Sequence, residues 1–224
     1  MENNMDRTRM RAIIQAHFDR GDYTGLFEAL YAEAKDSPDD IPWADMRPNH
    51  QLIGWLDKID RAQPGPRALV VGCGLGDDAE YLAGQGFRVT AFDISSTAIA
   101  LCKTRFPQTQ VNYVTANLLD LPPDLQGQFD FAVEIYTVQA MTPRLRREAL
   151  AGLVKTLAPD GLLLIIARGR DEDEDRGNMP WPLSRAELAE LEALGLRQET
   201  FENYFDDEEA TVRRFRVTYR KPAP

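Results

Sequence analysis

Apolar and polar positions follow two different rhythms along this chain, and the change between them divides it. Over Arg9–His17 and Leu26–Ala34 apolar residues recur every three or four positions, the spacing of one helix face, with Gly21-Asp22 as the interruption. An irregular stretch, Asp36-Ser37-Pro38-Asp39-Asp40 and Pro42-Trp43, precedes a third helical pattern at Asn49–Ile59, with Leu52, Ile53, Leu56 and Ile59 on one side. Pro64-Gly65-Pro66 ends it. From Arg67 onward short apolar runs alternate with helical stretches. The runs predict strands at Ala68–Val71, Arg88–Phe92, Val111–Thr115, Phe129–Ile135 and Leu162–Ala167, and the stretches helices at Asp78–Gln85, Ser96–Arg105 and Arg144–Leu157. Such alternation means βαβ units with right-handed crossovers, hence a doubly wound α/β architecture and a mostly parallel sheet. The tail departs from it. A helix at Ser184–Leu194, which Ser184 caps with Glu187 three residues on, leads into strands at Arg197–Tyr204 and Val212–Arg220 across the acidic turn Asp206–Glu209, an antiparallel hairpin on one sheet edge. Residues 1–62 are expected to form a helical lid and 63–224 the body.

Composition narrows what this body does. The chain has 224 residues and a formal charge of −10, the opposite of the basic face that nucleic-acid binding requires. Two cysteines, Cys73 and Cys102, match neither a redox pair nor a zinc framework, which fits a reducing cytoplasm. No apolar run has signal-peptide or membrane-span length, so neither export nor a membrane partner is expected.

The first strand runs into Val71-Gly72-Cys73-Gly74-Leu75-Gly76-Asp77-Asp78-Ala79 and then a helix. In open α/β sheets this corner is where a nucleotide-like ligand lies, and glycines let the backbone approach it. A dinucleotide fingerprint requires a third glycine where Asp77 stands. A carboxylate in the first helical turn opposes a pyrophosphate and suits a ligand carrying ammonium and sulfonium charges. Asp93 ends the second strand in Phe92-Asp93-Ile94-Ser95, where an acidic side chain accepts both ribose hydroxyls; capping the next helix is its other use, one that Ser95 and Ser96 also serve. Asn117, followed by Leu118, suits an adenine amino group and its ring. Glu134 closes the fourth strand, and a buried glutamate there calls for a cationic partner.

Together these residues resemble a class I S-adenosylmethionine-dependent methyltransferase with a Rossmann-like fold, over most of the chain from Pro42 onward. Within that superfamily Pro42-Trp43, Arg47-Pro48, the Gly72–Ala79 spacing and Asp93-Ile94-Ser95 look like the thiopurine, thiol and halide methyltransferase group. The resemblance implies S-adenosylmethionine as cofactor, with Trp43 packing over it. Gly72, Cys73, Gly74 and Gly76 would take its amino-acid part and Asp93 its ribose, with Asp78 and Ile94 also at the cofactor site. Asn117 and Leu118 would frame the adenine, and Glu134 would lie near the methionine end. Asn117 departs from the more usual aspartate, and no acceptor-side signature of the thiopurine group can be traced. The implied activity is methylation of a small molecule, with a thiol or other soft nucleophile favoured. A non-catalytic cofactor-binding accessory protein and a nicotinamide-dependent oxidoreductase are the rivals.

Acceptor contacts are expected from His50, Tyr136, Arg168 and Arg170, which stand beside the lid and beyond the fourth and fifth strands; the arginines suit an anionic acceptor or pair with nearby acids. His17 and His50 are the two side chains of near-neutral basicity. The run Asp171–Asp175 fails as a calcium loop, since Arg176 and Pro182 occupy the positions that need glycine and glutamate. A solvated loop able to close over the acceptor is expected instead.

Overall fold

The computed structural model describes residues 7–38, 41, 43–59, 66–177, 179–206 and 210–223. Pro42, the break at 64–65 and the turn at 207–209 lie outside them. Seven strands form one sheet in the order β3-β2-β1-β4-β5-β7-β6. The strands are β1 Arg67–Val71, β2 Arg88–Asp93, β3 Asn112–Thr115, β4 Phe129–Ile135, β5 Leu157–Arg168, β6 Arg197–Phe205 and β7 Arg213–Arg220. The first five run parallel, and only β7 is reversed, pairing antiparallel with β5 and β6. The doubly wound sheet and its terminal hairpin are thus as the pattern predicted.

The helices are α1 Arg7–Asp19, α2 Gly25–Glu33, α3 His50–Leu56, α4 Asp77–Gly84, α5 Ser96–Arg105, α6 Pro143–Thr156 and α7 Arg185–Ala193. Alternation along each strand sends every second residue to the opposite face. Leu69 and Val71 join Leu150, Leu153, Leu188 and Leu191 beneath α6 and α7. Val70 joins Leu52, Trp55, Leu82 and Ile99 beneath α3, α4 and α5. Placed by the sequence within the lid, α3 therefore packs in the central core. The predicted capping box is present: Ser184 accepts the Glu187 N–H and the Glu187 side chain accepts the Ser184 N–H.

β5 begins five residues earlier than its apolar run suggested. Pro159-Asp160-Gly161 reads as a turn, yet the chain continues as strand straight out of α6 through an irregular register against β4, with Asp160 at φ 61°.

α2 is fastened over the carboxyl edge of the sheet by one carboxylate. Glu28 accepts hydrogen bonds from the Ser95 hydroxyl at 2.7 Å, the Thr97 N–H at 3.2 Å and the Thr97 hydroxyl at 2.5 Å, at the amino end of α5. An anion there meets free backbone N–H groups and the positive end of the helix dipole, and these bonds hold its carboxyl below the ordinary range against the opposing effect of burial. Tyr31 and Ala34 pack with Leu75 and Ala98 under this clasp.

Candidate active site

The strand order reverses between β1 and β4, and a cavity of about 510 Å³ opens at their carboxyl ends. That is the crevice where doubly wound sheets place their ligands. One wall is the turn after β1, with φ of 62° at Gly72, 54° at Gly74 and 91° at Gly76. A Cβ on Gly72 would stand 2.3 Å from the Thr137 hydroxyl oxygen, and one on Gly76 2.4 Å from the Tyr113 hydroxyl oxygen. Only glycine meets both the sign of φ and the space. Gly76→Ala is accordingly expected to cost about 3 kcal/mol from left-handed strain and overpacking, read as a lower midpoint in chemical denaturation. An unchanged midpoint would contradict this packing.

Trp43, Gly72, Cys73, Gly74, Asp78, Asp93, Ile94, Asn117 and Leu118 line the cavity, as do His50, Tyr136 and Arg168. Three other expected residues do not. Gly76 is buried behind the turn against Tyr113 and Cys102. Glu134 is fully buried; its Oε1 accepts the N–H groups of Thr137 and Val138 at 2.6 and 2.8 Å, while Oε2 has no hydrogen-bond partner. It caps the short turn Val138–Ala140 and so sets Thr137 against Gly72 and the Val71 carbonyl. Arg170 turns away from the rim: its guanidinium donates to the carbonyls of Asp171, Glu172 and Glu174 and to the Glu187 carboxylate. The acidic run, expected to be merely solvated, wraps Arg170 and pairs with Arg213.

A further correction concerns Asp77. Its carboxylate is held by both terminal nitrogens of Arg105 at 2.8 and 2.9 Å, so its charge is spent within the fold. Asp77 still lines the cavity, together with Asp45, Asp78, Asp93 and Asp206. Asp93 accepts the Gly74 N–H at 3.0 Å and the Ser95 N–H at 2.9 Å, yet burial prevails and pushes its carboxyl up to about 6. Asp78 accepts the Asn49 N–H at 2.7 Å and also rises to about 6, by burial and by the neighbouring charges of Asp77 and Asp45. Burial lifts Glu134 to about 7. Asn117 accepts the Leu119 N–H through its Oδ1, which orients the amide and leaves its NH₂ group to donate.

Sequence reasoning missed much of the opposite wall. Phe27 and Tyr31 come from α2, edge-on to Trp43, whose indole N–H donates to the Tyr31 hydroxyl at 2.9 Å. Asp206 and Arg214 arrive from the hairpin, and Met141, Leu145, Met179 and Pro180 supply an apolar rim. In β7 the signal was present: Arg214 and Arg216 alternate with Phe215, Val217 and Tyr219 yet are nearly buried, because the strand lies inside the sheet beneath α3.

Residues 68–161 match the family model described as a methyltransferase domain. That segment holds the glycine turn, Asp93 and Asn117. Over this segment the chain is similar to a methyltransferase domain. A 2-phytyl-1,4-naphtoquinone methyltransferase of Trichormus variabilis is 31% identical over 62% of this chain and 62% of its own length. A thiopurine S-methyltransferase of Gluconobacter oxydans is 29% identical over 45% of this chain and 53% of its own. The chain spans 47% to 62% of the length of the first curated relatives it matches. Among solved structures, one described by the conversion of a disulfide bond into a thioacetal group during echinomycin biosynthesis superposes with a TM-score of 0.70, 22% identity, and coverage of 89% of this chain and 93% of that one. This likeness is one of fold alone. Among the described residues no helix is long and apolar enough to cross a membrane.

Proposed function

We propose that the protein is an S-adenosylmethionine-dependent methyltransferase acting on a small molecule. The observation that carries this reading is the pair of cavity-lining carboxylates, Asp78 and Asp93, both raised to about 6 beside a left-handed glycine turn. Such groups suit a ligand that brings hydroxyl donors and positive charge. S-adenosylmethionine has both, and the residues fit it in order along the wall. Asp93 accepts the ribose hydroxyls, beside Ile94. Asn117 donates to the adenine edge and Leu118 packs on its ring. The turn Gly72–Gly74 and Asp78 receive the amino-acid part, and Trp43 covers it with Phe27 and Tyr31. Glu134 acts from behind, through Thr137, as a positioning residue.

The cofactor supplies a methyl group on a sulfonium, and its transfer is an in-line displacement. The chain's contribution is alignment and exclusion of water, which for well-oriented reactants is worth an effective molarity on the order of 10⁵ M or more. The helices α1 and α2, clasped at Glu28, form the cap that closes the site. The acceptor meets the wall made by Tyr136, Arg168, His50 and the hairpin. The soft, thiol-like acceptor expected from the sequence rests on the thiopurine likeness alone, and a wall bearing a histidine beside an aspartate is more than a thiolate requires.

Calorimetric titration with S-adenosylmethionine and with NAD⁺, followed by transfer of labelled methyl to a panel of phenols, thiols and amines, tests the reading. Binding of the first cofactor alone and a methylated product are expected. Binding without transfer to any acceptor would favour an accessory protein, and NAD⁺ binding would overturn the assignment.

A further inference from the structure

His50 opens α3 and Asp206 follows β6, 156 positions later, yet the two meet at the cavity wall with His50 Nε2 3.3 Å from Asp206 Oδ1. We propose that they form a general-base pair and that the acceptor is a weakly acidic hydroxyl carried on an apolar, ring-sized body. This rests on the methyl-transfer reading above and specifies its acceptor.

Asp206 is 2% exposed, and a carboxylate so buried requires compensation. Arg214 provides it, donating Nε–H to Oδ2 at 2.5 Å, which leaves Oδ1 to the imidazole. Arg214 in turn lies over the Tyr136 ring, 5.0 Å from its centre, and Tyr136 is held at φ 63°, in the left-handed region that a tyrosine rarely adopts. Such strain persists only where surrounding structure enforces it, and it gathers at functional sites.

His50 Nε2 has a second neighbour, the Gln51 amide nitrogen at 2.7 Å. The Tyr204 hydroxyl, 2.5 Å from the other end of that amide, serves either orientation of it, so with Nε2 protonated the amide oxygen turns to the ring. When the acceptor's proton is taken at Nδ1, Nε2 is protonated in the neutral and the charged ring alike, and its N–H has the Asp206 carboxylate.

The rest of the wall selects what the base serves. Phe27, Leu119, Met141, Leu145, Met179 and Pro180 offer an apolar bed, and polar groups gather at His50, Tyr136 and Arg168. That combination fits a flat apolar acceptor with one reactive polar group. The acceptor oxygen forms a bond to the methyl carbon as the carbon–sulfur bond breaks. The electron pair of that bond stays on sulfur as a thioether, and the hydroxyl proton passes to His50 Nδ1, then to solvent. Asp206 is a positioning residue: it orients the ring through Nε2–H and balances the imidazolium.

Among the described residues, the charged and titratable groups lining the two cavities beside this pair include Arg214 and Arg216 from β7, Tyr204 and Glu202 from β6, Tyr136 after β4, Arg168 from β5, Asp77 and Asp78 from α4, and Asp45, Arg47 and Lys58 around α3. Only two histidines occur in the chain.

The test is the rate of methyl transfer from labelled S-adenosylmethionine to phenols of graded acidity, from 2-naphthol to pentafluorophenol, and to thiophenol. Wild type is expected to methylate 2-naphthol. His50→Gln is expected to lose about 10²- to 10⁴-fold in kcat with 2-naphthol. With pentafluorophenol, already ionised, it should lose about tenfold at most, while retaining calorimetric affinity for S-adenosylhomocysteine. Asp206→Asn should lower kcat with 2-naphthol and leave kcat with pentafluorophenol within about tenfold of wild type, since the ring it orients is needed only where a proton must be removed. An equal loss with both phenols would reveal a packing role and overturn the proposal, as would no loss at all. Transfer to thiophenol alone would also overturn it while leaving the methyltransferase standing. Failure of wild type to bind either adenosyl compound would remove both.

Discussion

Replacing Asp93 by alanine is expected to weaken binding of S-adenosylhomocysteine by at least about 10²-fold without dismantling the sheet. The expectation follows from how the side chain is held. Gly74 N–H fixes one carboxylate oxygen and Ser95 N–H the other, so the rotamer is set by two separate segments, and each oxygen keeps a lone pair for the cavity. Two ribose hydroxyls donating to them are worth about 1.5–3 kcal/mol each, as hydrogen bonds to a charged group. Their joint loss is the predicted change in Kd. Stability should alter little, because the variant removes a buried carboxyl lacking a cation at the same time as it leaves two N–H groups without their acceptor. Asp93→Asn is not a gentler change, since its NH₂ must face one of the two N–H donors. Calorimetry gives the affinity and thermal unfolding the stability. Affinity within a few-fold of wild type would remove Asp93 from the cofactor site.

What could be read in the sequence was whatever depends on neighbours in the chain. β4 and α5 lie at the predicted residues, and the Ser184–Glu187 capping box is present, because strand runs, helix faces and caps are local patterns. The glycine turn and Asp93 were legible for the same reason, as a strand end, a turn and a strand end one unit later. Long-range partners were not. Asp77 reads as a charge aimed at a ligand, and its carboxylate is paired with Arg105, 28 residues away in sequence. Glu134 stood at the right strand end but turns its side chain into the protein to cap the next turn. Asp206 read as the edge of an acidic loop. Its role depends on a strand that inserts between β5 and β6, bringing Arg214 beside it and a helix from the first quarter of the chain above it. Sheet order, not local pattern, assembles this side of the cavity.

Without ligand, the protein should lose stability as pH rises from about 5 to 8, the reverse of an ordinary acid transition. Asp78, Asp93 and Glu134 all have folded-state pKa values above those of the unfolded chain, the first two raised to about 6 and the third to about 7, and burial is the leading cause in each. A carboxyl of this kind favours folding while protonated, so its contribution is complete below the unfolded value and is lost as pH climbs through the folded one. Carboxyls shifted the other way, such as Asp130 beside Arg67 and Glu199 beside Arg220, are ionised in both states above pH 5 and do not oppose the trend there. One pKa unit retained at each of the three groups amounts to about 4 kcal/mol, or roughly 10 °C in Tm. S-adenosylmethionine should flatten the slope, because its hydroxyls and positive charges favour the ionised forms of Asp78 and Asp93, whereas Glu134, outside the cavity, should keep its share. Thermal unfolding at pH 5, 6.5 and 8, with and without cofactor, measures this. Glu134→Gln should remove part of the slope in both conditions. Asp93→Asn should remove part of it only in the ligand-free protein. A Tm that rises steadily from pH 5 to 8 in the ligand-free protein would show that these carboxyls titrate normally and that the cavity holds no unmet demand for a cation.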